Sequence, residues 1–158
     1  MLKFTYKVDF RKDKIIMIEE RQKIPTNGII QEVKSKMEST CIDLDYVINH
    51  TDFTFGLCEF IDEFKRSENK SGLIKKSPQA IDATKENLCI LAATVHKLAN
   101  DYGLTVPDWV FDPIYKMSYP VFAHNTTNSE YQQFLISDSP FEFAEKNVFF
   151  GSRAIERI

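Results

Sequence analysis

The sequence predicts a mainly α (α+β) fold, with an N-terminal β-hairpin packed on a bundle of about five to seven helices. Three observations point there. The chain opens on strict apolar/polar alternation, its middle carries apolar residues at helical spacing, and Ser-Pro and Ser/Thr-x-x-Glu start signals punctuate its second half. With 158 residues, 43% of them apolar, and 13 Phe, 6 Tyr and one Trp, the chain is long enough to bury one core. A single domain over residues 1–158 follows as the expectation. A charged fraction of 27%, with only 5 Gly and 6 Pro, excludes disordered and fibrous classes.

Leu2, Phe4, Tyr6, Val8 and Phe10 share one side of a strand, and Lys3, Thr5, Lys7 and Asp9 share the other. After the polar turn Arg11–Lys14, the β-branched run Ile15–Ile18 reads as the return strand of a hairpin. A lone hairpin is marginal in water, so this one is expected to pack on helices. Pro25–Gly28 is turn chemistry, and Ile29, Val33 and Met37 then repeat as an amphipathic helix requires. Residues 41–50 alternate in part and read as a short helix.

Thr51 or Asp52 caps the next helix, whose stripe is Phe53, Leu57, Phe60, Ile61 and Phe64 and which runs to about Ser67. Ser67–Gly72 is the most loop-like stretch, and residues 67–76 read as a mobile loop between two halves. Ser77-Pro78 opens the longest helix, residues 78–102, with the stripe Ile81, Leu88, Leu91, Ala92, Val95, Leu98, Ala99 and Tyr102. Gly103 and Leu104 close it with a left-handed cap and its apolar contact. From Pro107 the chain breaks into short pieces crowded with Trp109, Phe111, Tyr115, Tyr119 and Phe122. Thr127-Asn128-Ser129-Glu130 and Ser139-Pro140-Phe141-Glu142 have capping-box spacing and predict helices over 128–137 and 140–147.

Charge and cysteine content bound the function classes. Net charge is −3: residues 1–76 hold 14 Lys/Arg against 13 Asp/Glu, and residues 77–158 hold 6 against 10. That balance argues against a dedicated phosphate-gripping face. Cys41, Cys58 and Cys89 are odd in number and set among apolar neighbours, as reduced core thiols of a cytoplasmic protein are. No signal peptide and no membrane span is expected, so Asn125-Thr126-Thr127 reads as a chance glycosylation match.

Residues able to do chemistry are few. Cys89 and His96 lie seven apart on one predicted helix, about 10 Å along the axis at ~1.5 Å per residue, which is too far for a hydrogen bond. They read as a core thiol and a solvent-edge histidine. No Cys or His pairs stand at zinc spacing, and the five glycines stand apart, so neither a metal nor a phosphate-loop cofactor is expected. Asp43-Leu44-Asp45 reads as a solvated helix start. Glu59, Asp62 and Glu63 read as a solvated face on which Asp62 pairs with Arg66. The balance leans away from an enzyme, although residues scattered along the chain can still assemble a site.

Two surfaces remain as candidates. Lys65, Arg66, Lys70, Lys75 and Lys76, with the hairpin lysines, form the basic set that suits nucleic-acid phosphates; edge-strand lysines equally serve to block aggregation. Trp109, Phe111, Tyr115 and Tyr119 form the aromatic set that suits a protein interface; a core role is the alternative.

The stretch from Leu98-Ala99 through Gly103-Leu104 and Pro107-Asp108-Trp109-Val110, with Tyr119-Pro120, Ser139–Phe143 and Asn147–Phe150, resembles small helical bacterial proteins of toxin–antitoxin-like or regulatory loci. Those proteins sit beside nucleotidyltransferase-like genes or carry a helix-turn-helix. The resemblance covers the C-terminal third, rests on capping and packing residues, and carries over no site residue. It implies a regulatory, antitoxin-like role with a protein partner. The expected function is thus a protein-binding or regulatory module, with a protein partner or self-association as a homodimer. A nucleic-acid-associated factor is the first alternative, and an enzyme with no motif of its own is the second.

Overall fold

The computed structural model describes residues 42–153. The predicted hairpin, the helix over 29–37 and Cys41 lie outside them, as do residues 154–158. The described residues belong to one compact unit, residues 41–158. They are mainly helical, with a two-stranded sheet as their β-structure.

The element order is α1 (Leu44–Asn49), α2 (Phe53–Arg66), α3 (Lys70–Lys75) and α4 (Lys85–Asp101). Three 3-10 turns follow (Asp108–Phe111, Pro113–Tyr115, Ala123–Asn125), with strand β1 (Val121–Phe122) before the third. Helices α5 (Ser129–Asp138) and α6 (Phe141–Ala144) and strand β2 (Val148–Phe149) complete it. Asp43, Asp52, Asn69, Thr84 and Asn128 each accept a bond from the amide three residues on, as N-caps do. At the far end of α4, Gly103 takes φ +64° and the Leu104 amide bonds the Ala99 carbonyl at 2.8 Å, the left-handed close that Gly103-Leu104 predicts.

Helix α4 is the axis of the unit. Leu91, Val95, Leu98 and Ala99 join Leu44, Val47, Ile48, Leu57, Phe60, Ile61, Phe64, Ile74 and Val110 in one cluster. From the same helix, Cys89 and Ala93 join Met117, Val121, Phe143 and Val148 in a second. Trp109 packs on the first cluster, and its indole N–H donates to the Ile74 carbonyl at 3.0 Å. Strands β1 and β2 pair in parallel, Val121 opposite Val148 and Phe122 opposite Phe149.

Several local expectations give way to tertiary contacts. The long helix starts at Lys85 and not at Pro78, because α1 captures the backbone of Gln79 and Ile81 by hydrogen bonds. The Gln79 amide donates to Asp45 Oδ1, the Ile81 amide donates to Asn49 Oδ1, and Asn49 Nδ2 donates to the Gln79 carbonyl. Ile81, expected on the core stripe, is 82% exposed. The segment 67–76 is not a loop throughout: Asn69 caps α3, which buries Ile74 in the main cluster. Asn128, not Thr127, caps α5. Ser139 does not cap α6, since its hydroxyl accepts from the Phe150 amide.

Candidate functional site

The short elements after α4 bring the polar side chains together. Three tight N–H···O=C bonds shape the turn after α6: Glu145 to Phe141, Lys146 to Phe143 and Asn147 to Ala144. Asn147 adopts φ +59°, in the left-handed region that Asn tolerates, and its side chain donates to the Met117 carbonyl at 2.7 Å. The Met117 amide donates to the Lys146 carbonyl at 3.0 Å. These bonds fix Glu145 and Lys146 against α4 and the 3-10 turn Asp108–Phe111.

Lys146 is 4% exposed. Its ammonium donates to the Val110 carbonyl at 2.5 Å and stands 5.5 Å from the centroid of the Phe111 ring. Lysine is almost never buried this far without a partner charge. His96, on α4, is 6% exposed and meets Phe111 edge-on at 5.2 Å. It is therefore a buried histidine and not the solvent-edge one that its position on the helix suggests.

His96 Nδ1 and Glu145 Oε2 lie 3.4 Å apart, yet neither has a hydrogen-bond partner. Burial pushes the His96 imidazole below 6.5, against the carboxylates of Glu145 and Glu142 and with help from Lys146. It also pushes the Lys146 ammonium below 10.5, against Glu145 and Cys89 and with help from Lys116. The Cys89 thiol, fully buried, is pushed up from 9.0 by desolvation, partly offset by Lys85 and Lys146. Protonated and shielded, it is a poor nucleophile.

Beside this cluster lies a cleft of about 430 Å³, lined by Phe111, Asp112, Pro113, Lys116, Met117, Ser118, Glu145 and Lys146. Cations, carboxylates, one hydroxyl and apolar side chains therefore share a wall. Among the described residues no group of three His, Cys, Asp or Glu is placed to hold a metal ion.

The predicted aromatic set divides. Trp109 and Tyr115 pack edge to face at 5.0 Å, the first half-buried and the second buried. Phe111 and Tyr119 are 52% and 61% exposed. Other exposed large apolar residues are Tyr131, Phe134 and Ile136 on α5, with Phe55, Ile81, Tyr102, Ile114 and Phe141 elsewhere. The Tyr131 and Phe134 rings stack at 6.1 Å with planes 12° apart.

The predicted basic set falls along the end of α2 and through α3. Lys65, Arg66, Lys75 and Lys76 are exposed and Lys70 is half-buried. Arg66 pairs with Glu63 at 3.5 Å, and its Nε donates to the Asp62 carbonyl, so the expected Asp62–Arg66 carboxylate pair gives way to a neighbour. Lys70 donates to the Ser67 carbonyl at 2.6 Å and lies over the Tyr102 ring. Lys76 lines a small cleft with Asp43 and Asp45. These two carboxylates serve the fold: Asp43 caps α1 and Asp45 holds the Gln79 amide. Glu59 accepts from the Tyr46 hydroxyl at 2.5 Å.

Sequence reasoning singled out neither Glu145 nor Lys146. Glu145-Lys146 alone reads as an ordinary exposed pair, and no local signal marks its burial. Among the described residues no helix is long and apolar enough to cross a membrane. Comparison with protein-family models, with curated proteins and with solved structures gave no match for this chain.

Proposed function

We propose that this chain is a protein-binding module of regulatory, antitoxin-like character, meeting a protein partner or a second copy of itself through exposed aromatic side chains. The observation that carries the reading is helix α5. It buries Leu135 alone while presenting Tyr131, Phe134 and Ile136 to solvent. A ten-residue helix is marginal by itself, and a stacked pair of exposed rings is the kind of surface that interfaces enrich. Phe111 and Tyr119 extend the supply of exposed rings, whereas Trp109 and Tyr115 serve the interior.

Co-purification from the native host, followed by size-exclusion chromatography with light scattering, tests the reading. The expected result is a complex or dimer of defined stoichiometry that the double variant Tyr131→Ser/Phe134→Ser loses while keeping its helical circular dichroism. A partnerless monomer overturns it.

Nucleic-acid association is the second reading, supported by the exposure of Arg66, Lys75 and Lys76. The contacts of Arg66 with Glu63 and of Lys70 with the Ser67 carbonyl weigh against it. Phosphate binding is steeply salt-dependent, so a salt titration against DNA and RNA separates the two readings. Affinity at low ionic strength that fades as salt rises favours this one.

A further inference from the structure

Among the described residues, the Lys146 ammonium meets the Val110 carbonyl and the Phe111 ring but no carboxylate at ion-pair distance. The residue is almost completely buried. Buried charges are ordinarily paired, because desolvation costs more than a single hydrogen bond returns. Its neighbour in sequence, Glu145, favours the charged form from a distance but makes no direct ion pair with it, and the buried oxygen of that carboxylate faces His96 Nδ1. Of the ammonium's three donors, one is spent on the Val110 carbonyl. Lys146 is one of the residues that line the 430 Å³ cleft.

The rest of that wall narrows what would complete it. Lys116 and Ser118 add donors for an anion. Phe111, Pro113 and Met117 supply apolar surface for an uncharged body. Asp112 and Glu145 line the same cleft and disfavour a doubly charged group such as phosphate. The volume suits a ligand of modest size. We infer that the cleft between the two 3-10 turns Asp108–Phe111 and Pro113–Tyr115 and the turn after α6 binds a small monocarboxylate with an apolar body, whose charge compensates Lys146. This inference stands apart from the protein-binding reading, which rests on α5.

The test uses the full chain with benzoate and hexanoate as probes, and with inorganic phosphate and benzylamine as comparators. Isothermal titration and amide chemical-shift mapping are the readouts. The expected result is saturable binding of a carboxylate at a Kd of about 1 mM or tighter, with shifts centred on Phe111, Met117 and Lys146. Lys146→Met should lose at least about ten-fold in affinity, since it removes the charge that the ligand meets. Lys116→Ala changes an exposed side chain, keeps the fold, and should weaken binding several-fold. If Lys146→Met does not fold, the shift map and Lys116→Ala decide the matter. No saturable carboxylate binding overturns the inference. So does a map centred elsewhere, equal binding of phosphate or benzylamine, or undiminished binding by a folded Lys146→Met.

Discussion

His96 and Lys146 show how burial alters a side chain that sequence would leave on the surface. Both carry a folded-state pKa below the ordinary value, so the unfolded chain holds each proton more tightly. For His96 this means that stability is undiminished above 6.5 and falls as pH drops from 6.5 towards the folded value. Urea titrations of the wild type should show that decline, and His96→Phe should flatten it; an unchanged slope in the variant would assign the effect to other groups. For Lys146 the window lies at high pH: stability should rise as pH climbs through the folded value towards 10.5. Removing an unpaired buried charge relieves its desolvation, a gain that outweighs the single hydrogen bond lost at the Val110 carbonyl. Lys146→Met should therefore match or exceed wild-type stability at neutral pH and lose the alkaline rise, measured by the same titrations.

At the level of elements, the caps are the local decisions and the starts of helices are the contested ones. Thr84 accepts from the Asn87 amide at 3.2 Å and opens α4, the helix that both clusters share. Thr84→Ala should cost about 1 kcal/mol, read as a lower denaturation midpoint with an unchanged denaturant slope. Gly103 stands at φ +64° with open space around the position of a Cβ, so Gly103→Ala should cost only the backbone strain, about 1–2 kcal/mol. Gly103 and Leu104 were legible because a left-handed close depends on residues within one turn. Ser77-Pro78 misled as a helix start because Asp45 and Asn49, more than thirty residues earlier, capture the intervening backbone.

Across the whole unit, α4 joins two apolar clusters, so damage to either should be felt by both. Phe60 and Phe143 are nearly fully buried, one in each cluster. Phe60→Ala and Phe143→Ala should each cost about 3–5 kcal/mol. The chain's one tryptophan, Trp109, packs on the Phe60 cluster, so its fluorescence reports on that side. If the clusters unfold as one, its transition in Phe143→Ala coincides with the far-ultraviolet circular dichroism transition. Separated transitions would mean that α4 does not couple them.

Periodicity and capping are properties of neighbours along the chain, and through them the amino-acid order alone establishes a helical interior built on the Phe60 and Val95 stripes. It also marks most of the helices and the Gly103 close. Tertiary structure alone decides which side chains are withdrawn from water. Lys146 is buried because the Val110 carbonyl, 36 residues away, and the Phe111 ring meet it there, and Trp109 turns inward because the Ile74 carbonyl, 35 residues away, receives its N–H. Such pairings cost the chain entropy that only the closed core repays, so no pattern of adjacent residues announces them.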